Sequence, residues 1–229
     1  MGTGRLLDVG LGERVLELVL PATCAGCGAP GAACCARCQA GFGRPERVAR
    51  GPTGGVGCYA LARYEDIPRR LVLSYKERGR RDLAAPLGRV LAAALPHLPE
   101  ASPDDEGVWW LVPAPSRRTA SRVRGGPHIL RLARACAAAL AEAGSSAAVA
   151  PALRLAAGAR DAVGLAHAQR AANLAGRLRL DPRGLPPVHT RVVVLDDVLT
   201  TGATAAACAR MLTEGGQKVT AVLTLTATG

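Results

Sequence analysis

The sequence predicts an α/β fold in which a mostly parallel sheet is flanked by helices, with a small cysteine-rich module ahead of it. Three observations carry this reading. The runs Val108–Val112 and Arg191–Leu195 have the unbroken apolar character of strands buried on both faces. Stretches of helical periodicity alternate with them, which favours parallel strands joined by helices. Five of the eight cysteines fall between Cys24 and Cys38, a clustering that an extracellular disulfide framework would not give. The 229 residues suffice for one sizeable domain and a small appendage. They are 49% hydrophobic but only 3% aromatic, so the core is expected to be aliphatic packing of helix against sheet.

The elements follow in order. Leu6, Leu7, Leu11, Val15, Leu18 and Val19 recur at roughly helical spacing, so residues 1–20 read as an amphipathic helix docked on the rest of the protein. Asp8, Glu13, Arg14 and Glu17 interrupt that run, which excludes a signal-peptide core. No stretch is long enough to span a membrane, and a cytoplasmic location is expected. The leading helix and cysteine module occupy residues 1–45, and residues 44–57 carry the Gly and Pro of a linker. An α/β domain fills residues 56–229. Within it, Gly57–Tyr64 is read as a strand, and Ile67–Glu77 and Leu83–Leu95 as helices, the second capped by Asp82. Val108–Val112 is a strand stopped at Pro113, and His128–Gly144 is a long helix. Ala148–Leu155 is a strand and Ala166–Leu174 a short basic helix. Arg191–Leu195 is a buried strand, Ala205–Glu214 a helix closed by Gly215 and Gly216, and Val219–Leu225 the last strand. In open sheets of this kind ligands bind at the carboxyl ends of the strands.

The most informative segment is RVVVLDDVLTTGATAAACARML. A buried strand runs into two adjacent carboxylates, Asp196 and Asp197, then into a short loop with Thr200, Thr201, Gly202 and Thr204 before a helix. Backbone N–H groups at a helix N-terminus, aided by the helix dipole, suit a phosphate. Gly202 permits positive φ or close backbone approach, and the threonine hydroxyls add donors. Carboxylates repel phosphate, but they accept hydrogen bonds from sugar hydroxyls or hold hydrated Mg²⁺. Together these parts suit a phosphorylated sugar. Strand-end acids and a capping threonine loop are ordinary taken singly; their fixed order is what distinguishes them. A dinucleotide loop is a poor fit because G-x-G-x-x-G is absent, and a P-loop is a poor fit because no G-K-[ST] follows.

The cysteines give a second motif. Cys24-x₂-Cys27 and Cys35-x₂-Cys38 form two knuckles fit for a tetrahedral structural Zn²⁺, a small zinc ribbon. Cys34 is either spare or takes the place of Cys35. Four thiolates leave no open position for catalysis. Cys58, Cys136 and Cys208 sit in apolar or helical settings and read as core residues.

The acidic segment closely resembles the 5-phosphoribosyl-1-pyrophosphate (PRPP) motif of type I phosphoribosyltransferases. That resemblance implies a type I phosphoribosyltransferase-like fold with Asp196 and Asp197 as the catalytic carboxylates, holding the ribose hydroxyls. Val198, Thr200, Thr201, Gly202, Ala203 and Thr204 would bind PRPP, the loop from Thr200 to Thr204 taking its 5-phosphate. A Cys₄ module ahead of such a domain resembles the ComF family. LLDVGLGERVLELVLPATCAGCG, YEDIPRRLVLSYKERGRRDLAAPLGRVL, WWLVPAPSRR and AVGLAHAQRAANLAGRLRL are similar to family segments, so the likeness spans nearly the whole chain. It implies that Pro113, Ala114, Arg117 and Arg118 lie near the pyrophosphate, with Lys76, Arg122 and Arg124 as further countercharges. Where the family reads R-G-F-N-Q, this chain reads Arg124-Gly125-Gly126-Pro127-His128, so it lacks the Phe-Asn-Gln portion that would help close over PRPP.

The resemblance implies Mg²⁺-assisted transfer of phosphoribose to an acceptor. Its alternative is a non-catalytic competence factor that contacts incoming single-stranded DNA and a helicase partner. A regulator that senses PRPP without transfer is a third reading. The net charge of +11 and pI near 10.0 favour polyanionic partners, with basic clusters at Lys76–Arg81 and Arg117–Arg124. An arginine-, alanine- and glycine-rich composition with only two lysines, Lys76 and Lys218, also follows from GC-rich coding. The scarcity of aromatics argues against a base-stacking platform.

Overall fold

The computed structural model describes residues 23–49, 55–115, 127–156 and 177–229. The expected leading helix, the basic helix at Ala166–Leu174, and Arg117, Arg118, Arg122 and Arg124 lie outside the described residues.

A short helix α1 (Ala36–Gln39) ends the cysteine module. Strands β1 (Glu46–Arg47) and β2 (Gly57–Ala60) lead to helices α2 (Asp66–Glu77) and α3 (Ala84–Ala94). Strand β3 (Val108–Pro113), helix α4 (His128–Glu142) and strand β4 (Ser146–Val149) form one crossover. After β5 (Leu153–Leu155) and β6 (Leu178–Leu180), strand β7 (Arg191–Leu199), helix α5 (Ala203–Glu214) and strand β8 (Lys218–Ala227) form another. The main sheet has the order β1-β2-β8-β7-β3-β4, parallel throughout except for β1. Strands β5 and β6 make a separate antiparallel pair.

Period-two alternation divides the sheet between two cores. Leu111, Val193, Leu195 and Leu223 face helices α2, α3 and α4, where Leu71, Leu87, Leu91 and Leu132 are buried. Val112, Val192, Val194 and Val222 face the other way, onto Leu212 of α5 and Leu178 of β6. Cys58, Cys136 and Cys208 are buried in these cores, as the sequence predicted. The crossing of α3 and α4 is close because Gly88 lies against backbone; a Cβ there would meet the Ala135 carbonyl carbon at 2.6 Å.

The structure differs from the sequence reading at several boundaries, each for a local reason. Strand β7 does not stop with its apolar run, because Asp196, Val198 and Leu199 stay in register with Thr224, Thr226 and Ala227 of β8. The stretch 148–155 is two strands separated at Pro151, which has no N–H for a ladder. Asp82 does not cap a helix. It lies in a 3₁₀ turn (Arg81–Leu83) and its carboxylate takes Arg80 at 2.7 Å. The strand expected over Gly57–Tyr64 is confined to β2, Gly57–Ala60, and the stretch expected as a linker carries β1. Among the described residues no helix is long and apolar enough to cross a membrane.

Candidate functional site

The sheet topology marks a crevice. From β3 the chain crosses to β4 on one side, whereas from β7 it crosses to β8 on the other. The linking helices α4 and α5 lie on opposite faces. The reversal falls between the carboxyl ends of β3 and β7, where open α/β sheets bind ligands. Ala114, just past β3, is tied to β7 through its N–H to the Leu195 carbonyl at 2.8 Å. A small cleft opens here, lined by Ala114, Asp196, Thr200, Gly202 and Thr204 and floored by Val194, Cys208 and Val222. The structure thus brings together the acidic strand, the threonine loop and the end of β3.

The loop turns into α5 at Gly202, whose φ of 79° is the left-handed conformation that favours glycine. Gly202, at the N-cap, has no side chain to cap α5. The first N–H groups of the helix beyond Ala203, which meets Thr201 Oγ1 at 3.4 Å, are therefore left for an anion, with the positive end of the dipole behind them.

The adjacent acids do not face the same way. Because they lie in a strand, alternation sends Asp196 into the cleft on the α5 side and Asp197 to the opposite side of the sheet. Asp197 is buried and both its oxygens are engaged. Lys76 Nζ from α2 lies 3.0 Å from Oδ1 and 2.9 Å from Oδ2, and His128 Nε2 from α4 lies 2.9 Å from Oδ2. Burial alone would push the Asp197 carboxyl up; the His128 hydrogen bond and the Lys76 charge outweigh it and hold the carboxyl down at about 2. Among the described residues, Asp196 has only the Asp197 N–H, at 2.8 Å from its Oδ1. Burial, with the neighbouring Asp197 charge, pushes its carboxyl up to about 7. For Lys76, burial favours the neutral form, but Asp197 and Asp196 outweigh it and raise the ammonium above its usual range.

Lys76, expected as a countercharge for pyrophosphate, is therefore committed first to Asp197. In the sequence His128 reads as the start of a helix and the end of the Arg124–His128 segment, with no role at the site. A signal for it does exist: His128, Leu132, Cys136 and Leu140 recur every four residues and are all buried. A polar residue on that inward stripe needs a partner.

The cysteine cluster is the second site. The Sγ atoms of Cys24, Cys27, Cys35 and Cys38 all lie within 4.8 Å of one another. Cys27 and Cys35 are 3.7 Å apart, against about 3.8 Å for the edge of a tetrahedron of 2.3 Å Zn–S bonds. The Cys35 N–H points at Cys24 Sγ at 3.4 Å, a contact that favours thiolate. Gly26 lies against the cluster, where a Cβ would meet Cys38 Sγ at 2.8 Å. The donor set fits zinc, and Cys35 is the member of it. Cys34 lies outside, its Sγ 3.9 Å from the Cys35 carbonyl. The module is fixed to the domain by Arg80 to the Thr23 carbonyl at 2.9 Å and Arg70 to the Gly26 carbonyl at 3.2 Å.

Compared with protein-family models and with curated proteins, the chain matches none.

Proposed function

We propose that the chain is a ComF-like member of the type I phosphoribosyltransferases that binds PRPP in the cleft between β3 and β7. One observation carries this reading: a carboxylate, Asp196, and a phosphate-ready loop, Thr200–Thr204, share one cleft at the reversal of strand order. The loop N–H groups and hydroxyls take the 5-phosphate, and Asp196 accepts from the ribose hydroxyls. Pro113 and Ala114 border the pyrophosphate end. Mg²⁺ keeps several waters and needs one or two carboxylates besides substrate phosphates. Asp196 with the diphosphate supplies that set, and the ion would offset charge on the departing pyrophosphate. The Cys₄ module holds structural zinc.

Calorimetry with PRPP and Mg²⁺ on the zinc-loaded protein tests the reading. Saturable binding that 5-phosphoribose competes away is expected. A folded protein that binds neither compound would contradict it. Consumption of PRPP only when an amine or base is added would then identify a transferase rather than a sensor.

A further inference from the structure

We infer that His128 is a positioning residue that, through Asp197, holds the Lys76 ammonium ready to contact the anionic part of the ligand. This inference rests on the PRPP reading of the cleft and deepens it.

Four residues from three elements form a closed ring. Lys76 of α2 binds Asp197 of β7 through both carboxylate oxygens. His128 at the start of α4 binds Asp197 Oδ2 at 2.9 Å. The ring closes back on α2, where Tyr75, the neighbour of Lys76, donates its hydroxyl to the His128 carbonyl at 2.6 Å. The Tyr75 and His128 rings also meet edge to face, with centroids 6.0 Å apart.

Chemistry fixes the roles. A carboxylate only accepts, so Nε2 of His128 carries the hydrogen. Among the described residues, Nδ1 is buried without a partner. The Nε2–H of His128 donates to Asp197 beside the Lys76 contact. The ion pair with Lys76 therefore stays intact while the carboxylate is held from rotating.

Lys76 has three donors. One is given to Asp197 Oδ1, the ammonium also pairs with Oδ2, and its side chain remains 31% exposed. Among the described residues Lys76 has no hydrogen-bond partner besides Asp197, so a further donor can serve an anion. Both oxygens of Asp197 are already engaged within the ring. Of the two adjacent acids, one is a ligand group and the other a support.

Inorganic pyrophosphate and PRPP, each with Mg²⁺, are the probes, titrated by calorimetry into the full zinc-loaded chain. Lys76→Met is expected to weaken pyrophosphate binding roughly tenfold or more, the scale of one charge-assisted hydrogen bond. His128→Gln places an amide N–H near the Nε2 position and is expected to bind within about threefold of wild type. His128→Asn, similarly polar but too short to reach Asp197, is expected to lose roughly tenfold. Because His128 acts through Lys76, His128→Asn in the Lys76→Met background should cause no further loss. Thermal unfolding and zinc content of each variant separate lost positioning from lost fold. Equal binding by the Gln and Asn variants, or losses that add in the double variant, would overturn the inference while leaving the cleft assignment standing. Failure of the wild-type chain to bind either probe would overturn both.

Discussion

Asp196 and Asp197 are neighbours in sequence with opposite electrostatic surroundings, and neutralising each should have a different effect. Asp197→Asn leaves Lys76 without its partner and is expected to cost about 3–5 kcal/mol, the scale of breaking a buried ion pair, read by urea unfolding. Asp196→Asn removes a half-buried charge that no cation among the described residues contacts directly, so unfolding stability should stay level or rise. Their pH dependences also differ in sign. The folded Asp197 carboxyl, at about 2, lies below its reference value of 3.8, so its stabilisation is present above about pH 4 and is lost as pH falls toward 2. The folded Asp196 carboxyl, at about 7, lies above the same reference. The native state then holds its proton more tightly, and that contribution is lost as pH rises from about 4 through 7. Urea titrations across this window should show a decline in the wild type that is smaller in Asp196→Asn. Gly26→Ala would push a methyl onto Cys38 Sγ and should speed zinc loss to a chromogenic chelator.

At the scale of elements, the helices were legible because their apolar faces repeat with period 3.6. The end of β7 was not, because hydrophobicity and pairing part company there. The apolar run stops at Leu195, yet the ladder continues to Leu199 against a strand that brings buried threonines. The Thr224 hydroxyl donates to the Tyr59 carbonyl at 3.2 Å and that of Thr226 to the Asp197 carbonyl at 3.4 Å. The polar residues are thus satisfied within the sheet, and a pattern based on apolarity cannot see them. This extension decides the site, since acids inside a strand alternate between faces and acids in a loop need not. The crossing of α3 and α4 offers a direct check on packing. Gly88→Ala adds a methyl where the Ala135 backbone already sits, and a loss of about 1–3 kcal/mol in unfolding free energy is expected for overpacking.

Across the whole molecule, the cysteine module is part of the main core: Cys24, Cys34, Cys38 and Phe42 are buried in the same cluster as Leu71, Leu87 and Leu195. Removing zinc should therefore lower the melting temperature of the entire chain in one cooperative transition. The binding energy at stake is large, about 10–16 kcal/mol for structural zinc in small peptides. Two separate transitions after chelation would show an independent module. The distribution of legible features follows chain distance. The cysteine knuckles and the acidic loop are contiguous motifs and could be read directly. Lys76 and His128 reach Asp197 from 121 and 69 residues away, and only the folded sheet brings them there.

The central claim is that the cleft beside Asp196 binds the phosphoribosyl ligand while Asp197 supports it from the other face. PRPP calorimetry with Mg²⁺ on wild-type and Asp196→Asn proteins of matched zinc content and matched thermal stability tests it most directly. The expected result is saturable binding by the wild type that is lost in Asp196→Asn without any loss of melting temperature. Unchanged PRPP affinity in Asp196→Asn, or no binding by the folded wild type, would contradict it.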